Sequence, residues 1–133
     1  MSDETALKSF AERYASAWSS QNPAAVAQFF APDASLTING GAPAVGRLAI
    51  AHAAYEFMRD FPDLCVTVDR IFQQGVRVEF HWTLEGHNTG PGGSGHRVRI
   101  SGFEEWKIGP DGLIADSRGH FDANEYQRQI EHG

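Results

Sequence analysis

Residues 76–85, Val76-Arg77-Val78-Glu79-Phe80-His81-Trp82-Thr83-Leu84-Glu85, decide the fold. Apolar and polar side chains alternate through them without a slip. Val76, Val78, Phe80, Trp82 and Leu84 therefore share one face, and Arg77, Glu79, His81, Thr83 and Glu85 share the other. A period of two belongs to a strand with one face on a core. The charged face is expected to meet solvent or another subunit, and its charges guard an exposed sheet against wrong pairing. Outward from this stretch, 64–72, 76–87, 97–107 and 113–121 read as four strands. The breaks between them are Gln73-Gln74-Gly75, the glycine-rich 90–95 segment and Gly109-Pro110-Asp111-Gly112, short enough for antiparallel hairpins.

Upstream the period changes. Leu7, Phe10, Tyr14 and Ala17, with Trp18 beside them, form one stripe of a helix over 3–21, which Ser2 or Asp3 can cap. Asn22-Pro23 is a helix start. The short helix that follows is expected to bury Val26, Phe29 and Phe30 and to end before Pro32. Residues 34–38 read as a short strand running into the loop Asn39-Gly40-Gly41-Ala42-Pro43. Ile50, Ala53, Ala54, Phe57, Met58 and Phe61 form the stripe of a third helix over 47–61, stopped by Pro62. The tail, 122–132, reads as a short helix or an ordered end. Helices followed by antiparallel strands make an α+β layout, in which a curved, mostly antiparallel sheet can wrap around three helices and leave a pocket at its open end.

The chain has 133 residues, 41% hydrophobic and 21% charged, as expected of one folded domain over 1–133. A net charge of −6 argues against a general nucleic-acid binder. No apolar run approaches membrane-spanning length, and the first ten residues lack the pattern of a secretory signal. A lone cysteine, Cys65, forms no internal disulfide, so a cytoplasmic location is the simplest expectation.

Residues 90–95 spell GxGxxG, but a strand rather than a helix follows. The segment is therefore expected to be a hairpin loop, free to act as a lid, and not a nucleotide loop. The six histidines fall in no metal-ligand spacing, so neither a metal nor a cofactor is expected. No nucleophile elbow is present. The informative residues are polar groups among apolar ones. Tyr14 sits on the buried stripe of the first helix. In Gly102-Phe103-Glu104-Glu105-Trp106 one glutamate must face inward, and Glu104 shares its parity with Trp106 and Ile108. Asp122 follows the last strand, where it can either act in a pocket or cap the tail helix. A carboxyl in an apolar pocket has a raised pKa and can serve as acid or base near neutral pH.

Several stretches resemble the nuclear transport factor 2-like superfamily, within it the SnoaL-like polyketide cyclases and ketosteroid isomerases. They are the opening 13–34, Gly46 before the third helix, Phe80-His81-Trp82-Thr83-Leu84-Glu85-Gly86-His87-Asn88-Thr89-Gly90, and the close from Asp111-Gly112-Leu113-Ile114 through Phe121-Asp122 to Arg128-Gln129-Ile130. The resemblance implies a cone-shaped, cystatin-like α+β barrel with a deep apolar pocket. It also implies a homodimer through the outer sheet face, here Arg77, Glu79, His81 and Thr83 with Arg97 and Arg99.

By resemblance, Asp122 matches the cyclase base that removes a carbon-bound proton. Glu104 matches the polar or acidic residue of the penultimate strand, Tyr14 the isomerase oxyanion donor and Asn88 the cyclase histidine. The isomerase base position holds Ile38, with Asn39 beside it. His120 could relay protons. Val78, Phe80, Trp82, Phe57, Trp106, Trp18 and Asn39 are the expected substrate-binding residues. The expected function is a cofactor-free isomerase or lyase of the polyketide cyclase type, acting on a small apolar carbonyl-bearing ring compound. The alternatives are a non-catalytic small-ligand-binding or interaction protein of the same fold, and a hydrolase or dehydratase on the same scaffold, using either a carboxylate and a second polar residue on one water or His120 with Asp122 or Glu104.

Overall fold

The computed structural model describes residues 4–133; the Ser2 or Asp3 cap lies outside the described residues. The elements run α1 (Glu4–Ser19), α2 (Pro23–Ala27), β1 (Phe30–Ile38), β2 (Ala44–Val45), α3 (Arg47–Asp60), β3 (Cys65–Gln74), β4 (Arg77–His87), β5 (Arg97–Ile108), β6 (Ile114–Phe121) and α4 (Ala123–His132). The strands form one curved, unclosed sheet in the order β2-β1-β6-β5-β4-β3. Every neighbouring pair is antiparallel except β1 with β6. That architecture is the expected α+β cone, with a fourth helix formed by the tail.

The alternation of β4 is kept. Val78, Phe80, Trp82 and Leu84 are buried on the concave side, where α1 lies across them. The stripe of α1 (Leu7, Phe10, Ala11, Tyr14, Ala15 and Trp18) is buried along the whole helix. The Tyr14 ring meets Trp106 edge-on at 5.1 Å and Phe80 at 5.4 Å. At the C-terminal end of α1, Ser19 Oγ accepts the Val66 N–H at 2.9 Å and so ties the helix to β3.

Three departures from the sequence pattern have local causes. Phe30, expected at the end of the second helix, begins β1 because it pairs with Ile114 of β6. Pro32 cannot donate to a ladder, and the irregular register between Phe30 and Ser35 accommodates it. Ala44–Val45, just past the expected loop, adds a short edge strand to β1.

The glycine-rich segment, expected as a free lid, is fastened to the end of α3. Gly90 N–H and Asn88 Nδ2 both donate to the Asp60 carbonyl, and the Asn88 side-chain oxygen accepts from Ser94 N–H at 2.9 Å. A side chain at Gly90 would strike the Arg59 carbonyl. No described helix is long and apolar enough to cross a membrane.

Gly102 on β5 shows how tightly the sheet is filled. A Cβ there would collide with the His120 carbonyl and with the Trp82 ring, which lies across the bare backbone. Gly102→Ala is expected to destabilise the fold by about 1–3 kcal/mol, the usual cost of overpacking, as read by urea unfolding.

Candidate functional site

Glu104 lies midway along β5, opposite Phe80 of β4 and Gly119 of β6. Its side chain is buried, with 7% of the residue exposed; its neighbour Glu105 turns to the outer face and meets His120 at 2.8 Å. Three donors converge on Glu104 Oε1: Ser117 Oγ at 2.7 Å, Trp106 Nε1 at 2.9 Å and the Tyr14 hydroxyl at 3.0 Å. Among the described residues, Oε2 receives only a second, longer approach from Tyr14, at 3.2 Å. The donor set therefore saturates one oxygen and leaves the other with open capacity.

Burial pushes the Glu104 carboxyl above its ordinary value, and the hydrogen bonds from Ser117, Trp106 and Tyr14 oppose that rise without cancelling it. Burial, and then the charge of Glu104, hold the Tyr14 phenol well above its usual value.

Glu104 forms part of the wall of an open cleft on the concave side, with about 510 Å³ of space including its mouth. Trp18, Phe57, Phe80, Trp82 and Phe121 supply aromatic walls; Leu36, Ile38, Val66 and Leu84 supply aliphatic ones. Gly119, also in the wall, has no side chain to fill the space beside Glu104. A Cβ there would find its nearest neighbours, Glu104 Cγ and the Thr37 carbonyl, at 3.8 Å.

The structure brings Tyr14, Glu104, Trp18, Phe57, Phe80 and Trp82 together at this cleft and its floor. Val78 and Trp106 sit deeper in the core, Trp106 as a donor to Glu104. The other expected residues stand elsewhere. Asp122, matched to the cyclase base, is exposed and does not line the cleft. It is the N-cap of α4, where its Oδ1 accepts Asn124 N–H at 3.0 Å and Glu125 N–H at 3.1 Å, so the capping alternative describes its place.

His120 is on the outer face because Ser117, Gly119 and Phe121, not Arg118 and His120, take the inward parity of β6. It meets Glu105 rather than Asp122 or Glu104, so of the two arrangements open to a hydrolase or dehydratase the histidine–carboxylate pair does not form. Asn88 is buried within its own loop and on Asp60. Asn39 is exposed at the end of β1, its Oδ1 accepting Phe121 N–H. Sequence reasoning missed Ser117 and Gly119. Their signal was the parity of 117, 119 and 121, and a glycine inside a strand, which marks a place where a side chain would be in the way. Among the described residues, no group of three or more His, Cys, Asp or Glu side chains is placed to hold a metal ion.

A model of the SnoaL-like polyketide cyclase family matches residues 8–130. No curated protein matches the chain in sequence. Among solved structures, TsrD from Streptomyces laurentii superposes with a TM-score of 0.81 at 20% identity, covering 98% of each chain. A hypothetical protein with a ketosteroid isomerase-like fold from Catenulispora acidiphila, in complex with trimethylamine, gives 0.80 at 19% identity and 91% of each chain. The epoxide hydrolase/cyclase-like enzyme SalBIII gives 0.78 at 19% identity, with 94% of this chain and 97% of that one. At these identities the likeness is one of fold.

The raised carboxyl has a consequence for stability. The native state binds the Glu104 proton more tightly than the unfolded chain does. The stabilisation this supplies is complete below the ordinary glutamate value and is lost as pH rises through the raised one. Glu104→Gln, which mimics the neutral form, should therefore gain on the parent protein between pH 4 and pH 8. The gain should be about 1.4 kcal/mol for every tenfold rise in proton affinity. A stability difference between the two that is constant over this range in urea titrations would show an unperturbed carboxyl.

Proposed function

The chain belongs to the SnoaL-like polyketide cyclase family, and from that premise we propose a cofactor-free acid–base catalyst, of the cyclase or isomerase type, for a small apolar carbonyl-bearing ring compound. The observation that carries the proposal is the Glu104 carboxyl in the wall of an apolar cleft with Oε1 saturated and Oε2 open. The unit that carries it is one domain over 1–133.

In this reading Glu104, not Asp122, is the proton-transfer group. Ionised Glu104 takes a proton on Oε2 from the carbon beside the carbonyl, and the C–H electron pair passes into an enolate. Returning that proton to another carbon gives an isomerase; attack by the enolate carbon on a second carbonyl of the same molecule, whose π pair moves to its oxygen and takes the proton back from Glu104, gives a cyclase. A raised pKa suits both halves of the cycle, because the carboxylate is a stronger base and its acid form persists closer to neutral pH. Ser117 and Trp106 fix the carboxyl plane by holding Oε1, and Tyr14 spans both oxygens, so the acid form carries its proton where a ligand can receive it. A ligand seated between the aromatic walls would displace water from the cleft, which strengthens each polar contact inside.

Binding without catalysis is the second reading, and it is favoured because Glu104 is the one carboxylate of the cleft wall among the described residues. A homodimer through the outer face belongs to the same proposal. Phe72, His81, Phe103 and His120 lie ring against ring there, and Arg77 keeps a buried guanidinium nitrogen without a hydrogen-bond partner among the described residues. A solution mass near 14.6 kDa at micromolar concentration would exclude the dimer.

Deuterium uptake beside the carbonyl of bicyclic and tricyclic ketones, 2-tetralone first, tests the chemistry by NMR in heavy water. The wild-type protein should accelerate uptake, and Glu104→Gln should lose about 10²–10⁴-fold, the usual contribution of general acid–base catalysis. Uptake that is undiminished in the variant overturns the role of Glu104. Ketones that bind without accelerated uptake would make the cleft a binding site.

A further inference from the structure

The cleft carries charge of one sign. Glu104 is the one ionisable side chain of its wall among the described residues, and no lysine, arginine or histidine lines it. An unbroken row of aromatic contacts runs around it. Trp18 meets Phe57 at 5.9 Å, Phe57 meets Tyr126 at 6.4 Å, Tyr126 meets Phe121 at 5.3 Å and Phe121 meets Trp82 at 6.0 Å. Trp18, Phe57, Phe121 and Trp82 line the cleft, and Tyr126 of α4 links the two halves of the row. Neighbouring rings are inclined by between 62° and 75°, so no two of them form a flat slot. A planar molecule lies along one ring at a time; a rounded one touches several.

The faces of aromatic rings are negative and attract cations. Rings and carboxylate therefore favour the same sign of ligand charge. An anion would meet an ionised Glu104 with no cation in the wall to offset it, and a neutral ligand would gain nothing from that charge. The supply of acceptors narrows the cation further. A primary ammonium brings three N–H donors, whereas the wall's carboxyl has one oxygen with open capacity, Oε2. Donors left unpaired in an apolar site cost binding, and a metal ion such as calcium or magnesium needs more oxygen ligands than that. An ammonium whose hydrogens are replaced by alkyl groups keeps the charge, brings at most one N–H and turns apolar carbon to the rings.

We propose that the cleft is a binding site for a compact alkylated ammonium ion, tertiary or quaternary, whose N-alkyl groups contact Trp18, Phe57, Trp82 and Phe121 while its charge faces Glu104. This goes beyond the acid–base reading and does not depend on it, because no proton is taken from the ion. Tyr126 acts from behind, by bracing Phe57 and Phe121. The site also ties binding to pH. Burial raises the Glu104 carboxyl. The titratable group facing it is Tyr14 of α1, whose phenol is held well above its usual value; Trp106 and Ser117 carry no charge. A cation binds the ionised form, so affinity rises as pH climbs through the raised value and levels off above it.

Titration calorimetry with three probes of one shape tests the assignment: choline, a fixed cation; 3,3-dimethylbutan-1-ol, its uncharged carbon isostere; and 3,3-dimethylbutanoate, an anion. The wild-type protein should bind choline about tenfold or more tighter than the alcohol, and the anion weakest. Glu104→Gln should lower the preference for choline by about fivefold or more, with alcohol affinity held within about twofold. Phe57→Leu keeps an apolar wall, removes one ring and should lower it about threefold. Two measurements need no variant. The choline N-methyl protons should move upfield in NMR under the ring currents, and the choline-to-alcohol preference should grow between pH 4 and pH 8.

Equal binding of choline and the alcohol, a preference unchanged in folded Glu104→Gln or independent of pH, or unmoved N-methyl protons would overturn the proposal. Choline results as expected alongside undiminished deuterium uptake in Glu104→Gln would remove only the acid–base reading. Uptake lost in that variant while choline binds no better than the alcohol would remove only the cation site.

Discussion

A carboxyl group taken out of water must find its hydrogen bonds inside the protein, and Glu104 finds them on three separate elements. Tyr14 comes from α1, Trp106 from β5 itself and Ser117 from β6. Satisfying this one group requires the helix to lie across the concave face at a fixed height, and β5 and β6 to pair in one register. The aromatic packing around it follows the same arrangement. Phe80 stacks on Trp106 at 5.0 Å, and Tyr14 stands edge-on to both rings. The core and the polar centre are therefore built from the same side chains.

The same geometry divides the two carboxyl oxygens. Three donors on Oε1 hold the group in place, and one long contact to Oε2 leaves it available. A fully satisfied carboxylate would be a structural element; a wholly unsatisfied one would be too costly to keep. The cleft exists beside it because Gly119 withholds a side chain, while Gly102 withholds one so that the Trp82 ring can close the neighbouring wall. Two glycines on adjacent strands thus have opposite effects, one opening space and one allowing it to be filled.

Much of the fold was legible in the chain because it rests on periodicity. The alternation in β4 and the stripe of α1 each come from burial on one side, and burial leaves a regular trace in sequence. The inward turn of Glu104 followed from its parity with Trp106 in the same way. Asp122 shows where that reasoning stops. An aspartate after the last strand fits both a catalytic and a capping place, and the choice depends on where α4 starts. Two backbone N–H groups of the new helix take its carboxylate, as α4 leaves β6 immediately after Phe121. Likewise His120 and Ser117 differ only in parity, and the pairing of β6 between β1 and β5 assigns one to each face.

By itself the sequence determined the α+β class, the order of the longer helices and strands, the apolar faces of α1, α3 and β4, and membership of a family whose model spans residues 8–130. These are properties of neighbours along the chain, or of patterns repeated at fixed spacing. The tertiary structure decided that Tyr14, Glu104, Trp106 and Ser117 form one hydrogen-bonded centre and that one carboxyl oxygen is left open. Each of these depends on contacts between residues far apart in sequence, Tyr14 and Glu104 being 90 positions apart. Such contacts are set by how the helix and the curved sheet pack together, and no local pattern of residues encodes the distance between them.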